Sequence, residues 1–426
     1  MTQDIPYPEI AAVSAHLGPL AIARLVRLAD RIADKRNRKR VIKAEAARAH
    51  EGLYEYLDYH LNERPVNING KPLSLMTRRL GGRSMKIPVC SLFEGSKVIL
   101  ESLDESKRRI YDGWEKVENV KIRRMLGGVI NDYDVFAAAR IEVSIEAARI
   151  RGDMTTYGSL LATQDALEWE ILLETAEHLS SPYSVSDFPG LTSRLHLRIA
   201  AEEAAQKNYL LEPTTRCNGL AISTSVVHAT PAGEFRVILG KRSALTGAHA
   251  DLFHVIPACI FQPELGKRHD EWDIFHSFLK EYGEELYSEE LDRKRRDARY
   301  FYKEWKGVAA LLEAMDQGRC SFAITGLVIN LLNLRPEVCA LLLVHDPDWW
   351  SDVRPPFKTG WEYVEVEKMI DRAGKCCTDI SLRNAEPEYL EAFGATPRDW
   401  VPPGLACFWL GIDYARRHYG IEALKA

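Results

Sequence analysis

The sequence lacks any long apolar run. None of its 426 residues falls in a stretch that approaches the 18 consecutive apolar residues typical of a transmembrane helix. The first ten residues have neither the basic nor the apolar segment of a secretory signal peptide. Repeats of fixed period and low-complexity tracts are also missing. These absences argue against a helical membrane protein and a repeat array, and we expect a cytoplasmic location with no membrane partner.

Closely spaced cysteine pairs are missing as well. The eight cysteines are scattered and form no C-x-x-C pair, which argues against a structural zinc site and a disulfide framework. Several lie inside apolar runs, such as Cys339 in VCALLLV, so buried free thiols are the expected state. The adjacent Cys376 and Cys377 leave a redox role open.

The net charge is small, at −5, and the content of hydrophobic (46%) and charged (27%) residues is that of a globular protein with two or three folding units. Residues 1–130 nevertheless carry 24 Lys and Arg against 16 Asp and Glu. Their densest basic run, KRNRKR at 35–40, leaves open a DNA contact through residues 24–43. A solvated helix is the favoured interpretation, because no aromatic residues interleave with the run to stack on bases.

Helical periodicity dominates the first half of the chain. Apolar residues recur at three- and four-residue steps from about residue 8 to 60, and helix-forming residues fill 98–110 and 134–179. Residues 61–90 contain prolines and glycines and predict a loop or a short hairpin. We therefore predict an α-helical domain of unknown role over residues 1–205.

After residue 205 the pattern changes to short β-rich runs around a few helices. Three helices are predicted, in EWDIFHSFLKEYGEEL, in EWKGVAALLEAMDQ and at the end of the chain. The predicted strands are a hairpin in GLAISTSVVHAT and EFRVILGKRS, a short strand with a turn in HVIPACIF, a strand pair in LVINLLNLRPEVCALLLV, and a closing strand and helix in ACFWLGIDYARRHYG. The expected fold class is α+β, with a mixed-sheet α/β/α sandwich over residues 206–426.

The strongest chemical signal lies in the first of these helices. Glu281, Glu284 and Glu285 are three and four residues apart, so their carboxylates share one edge of the helix and repel one another. Hard cations such as Mg²⁺ prefer carboxylate oxygens and substrate phosphates. The alternative is a solvated acidic edge in which Lys280 offsets Glu284.

A strand, a turn, a loop and then this helix resemble the Nudix box, whose second half is R-E-U-x-E-E-x-G-U with U aliphatic. Here that half reads KEYGEELYS from Lys280. The resemblance extends over about residues 212–412, through FHVIPACIFQPE and WVPPGLACFWLG, to Nudix-like domains of bacterial, largely actinobacterial, regulator-associated proteins.

The resemblance implies specific roles for these residues. Glu281, Glu284 and Glu285 would be the catalytic residues and the ligands of Mg²⁺, or of Mn²⁺. Basic residues would hold the ligand's phosphates, and the candidates are Lys241, Arg242 and Lys280. The implied activity is Mg²⁺-dependent hydrolysis of a pyrophosphate bond in a nucleoside-diphosphate-linked compound.

The sequence also departs from the box. Pro257-Ala258-Cys259 replaces the usual Pro-Gly-Gly turn, Lys280 replaces the box arginine, and Trp272 occupies the position of the first box glutamate, although Gly266 has the correct offset. These departures favour a second hypothesis, in which a nucleotide-like small molecule binds without turnover. The helical half would then form a homodimer or contact DNA or protein.

Overall fold

In a computed structural model, the structure describes residues 8–11, 19–48, 50–80, 83–125, 130–179, 182–205, 208–243, 249, 252–264, 268–292, 294–295, 297–349, 379–381 and 397–420. The helices are α1 Pro8–Ala11, α2 Pro19–Ala29, α3 Lys35–Ala47, α4 Glu51–Glu63, α5 Glu118–Met125, α6 Tyr157–Leu160, α7 Ala166–His178, α8 Phe188–Thr192, α9 His196–Ala204, α10 Arg268–Glu271, α11 Ile274–Tyr287, α12 Phe301–Glu304, α13 Lys306–Asp316 and α14 Pro402–Tyr419.

The strands are β1 Asn67–Ile68, β2 Lys71–Pro72, β3 Leu75–Leu80, β4 Arg83–Glu94, β5 Val98–Arg109, β6 Asp134–Val143, β7 Ala148–Thr156, β8 Ala221–Ala229, β9 Phe235–Lys241, β10 Phe253–Val255, β11 Ala258–Ile260, β12 Cys320–Asn330, β13 Arg335–Val344 and β14 Asp379–Ser381. No helix within the described ranges is both long and apolar enough to cross a lipid bilayer. The protein is thus α+β, as predicted.

A large mixed sheet forms the centre of the molecule. Its strand order is β10-β9-β8-β13-β12-β4-β3, with β11 added to β8 and β14 added to β9. Strands β8 and β13 run parallel, and every residue of both strands is buried. Nearly continuous apolar runs such as VCALLLV are typical of strands that are covered on both faces.

Helices cover both faces of this sheet. On one face, α14 packs Leu405, Phe408 and Leu410 against β-strand residues such as Leu341. On the other, α11 contributes Phe278 to a second and larger cluster. The predicted layering of helix, sheet and helix is therefore present in this part of the chain.

The predicted helices at 98–110 and 134–156 are wrong. Val98–Arg109, Asp134–Val143 and Ala148–Thr156 are strands that form a separate sheet in the order β5-β7-β6. In β7, Arg149 and Arg151 are exposed while Ile150 between them is fully buried, which is the two-residue period of a strand. Pairing with neighbouring strands outweighs the helix propensity of the Ala- and Glu-rich sequence.

Most other element predictions are confirmed. Helices α2 to α4 fill the predicted helical region, and β8–β9 and β12–β13 pair as expected. The predicted loop or short hairpin at 61–90 is only partly correct, because residues 67–72 form a short hairpin but β3 and the long strand β4 follow it. The closing strand is wrong, because residues 402–419 form one helix that begins with Pro402 and Pro403 in its first turn. The six described cysteines are free thiols, and five are buried; Cys376 and Cys377 lie outside the described residues.

The central sheet contains strands from both halves of the chain. Strand β4 pairs with β12 over Val89 to Glu94, and β3 pairs with β4 on its other side. A domain boundary near residue 205 stays a prediction. Strands β3 and β4 come before this boundary in the sequence but belong to the same sheet as the strands that follow it.

Arg216 is a buried cation. It is 2% exposed, and none of its three guanidinium nitrogens has a hydrogen-bond partner in the described part of the chain. Burial, followed by repulsion from Arg198, lowers the pKa of Arg216 to about 9. The side chain still carries its charge near neutral pH, where burying an uncompensated ion is costly.

We therefore expect Arg216→Met to raise the free energy of unfolding by about 1–4 kcal/mol, as measured by urea denaturation. Arg198→Met is the matched comparison, because Arg198 Nη2 donates to the carbonyls of Leu331 (2.7 Å) and Leu332 (2.9 Å). Losing those bonds should lower stability by about 1–3 kcal/mol. If Arg216→Met lowered the free energy of unfolding instead, the charge of Arg216 would have to be compensated by another group in solution.

Candidate functional site

Helix α11 holds the acidic residues in a fixed position. The Asp273 side chain caps its first turn by accepting a hydrogen bond from the His276 backbone N–H at 2.6 Å. Phe278, Leu279 and Leu286 are fully buried along one side of the helix. This capped and packed helix presents Glu281 and Glu284 to a cavity beside the central sheet.

The three carboxylates do not converge. Glu281 and Glu284 line the cavity, whereas Glu285 is 5% exposed and its Oε2 accepts a hydrogen bond from the Ala258 backbone N–H at 2.9 Å. Glu285 thereby fixes the start of β11, the turn region where the Nudix pattern has glycines. Its predicted roles as a catalytic residue and metal ligand stay predictions.

Lys280 is buried among acidic side chains. Its Nζ lies 3.0 Å from Glu264 Oε1, 3.1 Å from Glu281 Oε1 and 4.0 Å from Glu284 Oε2. Burial acts to lower the pKa of Lys280, but attraction by these carboxylates, with Glu281 the strongest, raises it well above its ordinary value. The ammonium group therefore compensates the acidic edge from within the protein.

The cavity itself encloses about 180 Å³. Pockets that bury a whole drug-sized ligand usually measure about 300–1,000 Å³, so this one matches part of such a ligand. Its lining comes from both halves of the chain and comprises Tyr133, Tyr157, Leu160, Leu161, Asp165, Ala221, Ile222, Arg242, His249, His254, Ala258, Cys259, Ile260, Gln262, Glu281, Glu284, Arg335, Glu337 and Val401.

Two guanidinium groups line this cavity. Arg242 follows β9, and its backbone N–H donates to the Leu252 carbonyl at 2.9 Å. Arg335 opens β13 directly after Leu334, whose φ of +58° is unusual for a leucine and turns the chain into the strand. Arg335 is 8% exposed, and its Nε has no hydrogen-bond partner among the residues described. Lys241, by contrast, places its Nζ 5.8 Å from the centroid of the Phe253 ring.

Glu337 lies beside these cations. It accepts a hydrogen bond from the Ser223 hydroxyl, and its Oε2 is 3.6 Å from Arg335 Nη2. Burial raises the pKa of Glu337, and attraction by Arg335 opposes the rise. The carboxyl group is thus easier to protonate than an exposed glutamate and can donate as well as accept a hydrogen bond.

The histidines near the carboxylate helix are neutral. Burial, assisted by Arg242, lowers the pKa of His254 to about 3, and burial lowers that of His276 to about 4. In neutral His254, Nδ1–H donates to the Val255 carbonyl at 2.7 Å, which leaves Nε2 as an acceptor. His249 has a positive φ of 55°, and its Nδ1 is 3.7 Å from Glu168 Oε1.

One wall of the cavity comes from the first half of the chain. Asp134 pairs with Thr156 across the β6–β7 ladder, which brings Tyr133 and Tyr157 side by side at its end. A π-helical turn, Leu161–Asp165, follows α6, and such turns are frequent at functional sites. Asp165 is paired with Arg123 at 2.6 Å.

The fit to Mg²⁺ is partial. No group of three or more His, Cys, Asp or Glu side chains in the described ranges is arranged to hold a metal ion. Mg²⁺ often uses one or two carboxylates together with substrate phosphates, and Glu281 and Glu284 can supply these at the cavity wall. Glu281 and Glu284 are therefore placed to contact an ion at the cavity wall, and a site of all three carboxylates stays a prediction.

Sequence reasoning missed several cavity residues. Arg335 and Glu337 lie in a strand that was predicted, but without a chemical role, and Tyr133, Tyr157 and Asp165 lie in segments predicted as helical or left unassigned. The charged pair in L-R-P-E, inside an otherwise apolar strand pair, was the available signal. Gly266 lies outside the described residues.

The basic run near the N-terminus forms the start of α3. Arg38 Nη2 is 3.5 Å from Glu9 Oε1, and Arg40 pairs with Glu118. Part of the basic charge is therefore compensated within the protein, and DNA contact through residues 24–43 stays a prediction.

Comparison with known proteins adds no assignment. No protein-family model matches the chain, and no curated protein matches it significantly.

Proposed function

We propose that the protein binds a nucleoside-diphosphate-linked compound in this cavity, in the cytoplasm, and hydrolyses its pyrophosphate bond with Mg²⁺. The observation that carries the proposal is one cavity lined by Glu281 and Glu284 together with Arg242 and Arg335. Guanidinium groups suit phosphate oxygens because they donate two parallel hydrogen bonds. A Nudix-like character of residues 206–426 is part of the same proposal.

The carboxylates at the cavity wall suit a ligand that brings a cation with it. Asp165, Glu281, Glu284 and Glu337 line the cavity together with Arg242 and Arg335. Arg123 pairs with Asp165 and Lys280 lies against Glu281, so Glu284, 4.0 Å from Lys280 Nζ, is the carboxylate best placed to meet a complex of Mg²⁺ and pyrophosphate. Mg²⁺ would supply charge neutralisation and a more acidic bound water.

The protein's own residues would orient the ligand during hydrolysis. Arg242 and Arg335 would hold the phosphate oxygens, while Glu281 and Glu284 face the reacting group across the cavity. The oxygen of water forms a bond to one phosphorus as the bond from that phosphorus to the bridging oxygen breaks. The two products share the protons of the water and leave as phosphate esters.

The second candidate, a ligand sensor without turnover, is favoured by one specific observation. Lys280 Nζ lies 3.1 Å from Glu281 Oε1. Its positive charge offsets the negative charge of the carboxylates, which a bound metal would otherwise offset. The same cavity would then bind a nucleotide-like effector, and the first half of the chain would mediate dimerisation or contact DNA.

Incubation of the full chain with Mg²⁺ and a panel of nucleoside diphosphate derivatives, followed by chromatography of phosphate-containing products, tests the proposal. Product formation that requires Mg²⁺ supports hydrolysis. Binding without products supports the sensor, and the absence of both contradicts the two candidates together.

A single variant tests the phosphate contact. Arg335→Met should weaken binding of pyrophosphate in the presence of Mg²⁺ by about ten- to a hundredfold, because a charge-assisted hydrogen bond is lost. Isothermal titration calorimetry measures the Kd, and exposed Arg194→Met is the control. Unchanged affinity in a folded Arg335→Met protein would remove Arg335 from the site.

A further inference from the structure

The cavity wall supplied by the first half of the chain is mainly aromatic and apolar. We call Tyr133, Tyr157, Leu160 and Leu161 the aromatic wall. The two tyrosine rings are stacked, with centroids 5.0 Å apart and an interplanar angle of 6°. Both residues line the cavity that also contains Glu281 and Arg335.

Backbone pairing fixes the orientation of these rings. The Tyr157 backbone N–H donates to the Tyr133 carbonyl at 2.9 Å, one step beyond the β6–β7 ladder. The Gly158 N–H donates to Asp132 Oδ1 at 2.8 Å, and the Thr156 hydroxyl accepts from the Ser159 N–H. These hydrogen bonds within the protein hold the aromatic wall in position.

Strand β6 joins this wall to the second half of the chain. The Phe136 N–H donates to the Phe261 carbonyl at 2.9 Å, and the Leu220 N–H donates to the Phe136 carbonyl at 3.1 Å. Phe261 follows β11, which carries Cys259 at the cavity, and Leu220 precedes β8. The aromatic wall is thus held against the strands that line the charged part of the cavity.

The surface chemistry of the aromatic wall matches a flat heteroaromatic ring. Aromatic faces stack on nucleic-acid bases with little dependence on base identity. Gln262 also lines the cavity and forms no side-chain hydrogen bond with a described residue, so its amide can donate to and accept from the edge of a base. Tyr133 is 41% exposed, which places it where a ligand larger than the cavity would extend towards solvent.

We propose that the aromatic wall stacks on the base of the ligand, so that the first half of the chain recognises the nucleoside while the second half holds the diphosphate. This inference rests on the proposed function. It assigns Tyr133 and Tyr157 as ligand-binding residues and gives the first half of the chain a direct part in the site.

Titration calorimetry of the full chain with two probes tests this role. ADP with Mg²⁺ carries a base, and inorganic pyrophosphate with Mg²⁺ does not. Wild-type protein should bind ADP at least about tenfold more tightly than pyrophosphate. Tyr157→Ala should weaken ADP binding by about ten- to a hundredfold and leave the pyrophosphate Kd within about twofold, since stacking on one base is worth about 1–3 kcal/mol.

Three further variants keep the test decisive. Tyr157→Phe retains the ring and should retain ADP affinity, Tyr133→Ala removes the more exposed ring and should weaken ADP binding, and Tyr111→Ala, an exposed tyrosine outside the cavity lining, should change neither Kd. Thermal unfolding checks that each variant is folded.

Equal affinity for ADP and pyrophosphate, unaffected by the tyrosine variants, would overturn the role of the aromatic wall while leaving the phosphate site intact. Failure of both probes to bind would overturn the proposed function and this inference together.

Discussion

Lys280→Met should lower the free energy of unfolding by about 3–5 kcal/mol near neutral pH, because removing one partner of a buried charge cluster leaves the others uncompensated. In the wild-type protein the ammonium group lies 3.0 Å from Glu264 Oε1 and 3.1 Å from Glu281 Oε1. Lys280 is 3% exposed and Glu281 8% exposed, so water screens this cluster poorly. Urea denaturation measures the loss.

A divalent cation should restore part of that stability. Millimolar Mg²⁺ or Ca²⁺ should reduce the loss, because a cation bound only by the folded state stabilises that state. Recovery with Mg²⁺ would indicate that Lys280 occupies the electrostatic position of a metal.

Two control variants separate the effect of the charge at residue 280 from the general effect of removing a lysine. Lys280→Arg keeps the charge and should retain most of the stability, and Lys303→Met removes an exposed lysine from α12 and should change it by less than about 0.5 kcal/mol. A Lys280→Met protein as stable as wild type at neutral pH would mean that the carboxylates do not depend on this ammonium.

Glu284→Gln should reduce Mg²⁺-dependent turnover by about a hundredfold or more, because the amide has nearly the same shape but cannot supply an anionic oxygen at the cavity wall. Its side chain is 26% exposed and 4.0 Å from Lys280 Nζ, so the free energy of unfolding should change little. Initial rates of product formation at saturating substrate measure the effect.

The matched control is Glu290→Gln, which neutralises an exposed glutamate three residues after α11 and should leave turnover unchanged. Full activity in folded Glu284→Gln would remove Glu284 from the reaction. Loss of activity together with unfolding would instead make Glu284 a structural residue. In a folded but inactive variant, weaker Mg²⁺ binding measured by calorimetry would place Glu284 at the ion.

Local patterns were sufficient to predict the carboxylate helix and the central strand pair. Helix α11 has an acidic N-cap, Asp273, and an apolar stripe through Phe278 and Leu286, so periodicity alone locates it. Strands β12 and β13 lie in apolar runs separated by the polar turn residue Asn333. In both places the local preference of the sequence agrees with the final packing.

Long-range pairing explains what the sequence did not reveal. Residues 134–156 are rich in helix formers, yet β6 and β7 pair with each other and β6 contacts residues 218–220 and 261. The stacking of Tyr133 on Tyr157 depends on that register. The helical spacing of the sequence predicts that Lys280 lies next to Glu284. The hydrogen bond from Lys280 to Glu264, sixteen residues earlier, depends on tertiary folding that the local pattern does not indicate.

Strand β4 has a practical consequence for experiments on this protein. Its hydrogen bonds occupy the side of β12 that faces away from β13. A fragment that started at residue 206 would present this side as a bare template for intermolecular strand addition, a common origin of aggregation. Truncated versions intended for ligand assays therefore need to retain residues 75–94, even though most of the charged ligand-facing side chains come from the C-terminal half.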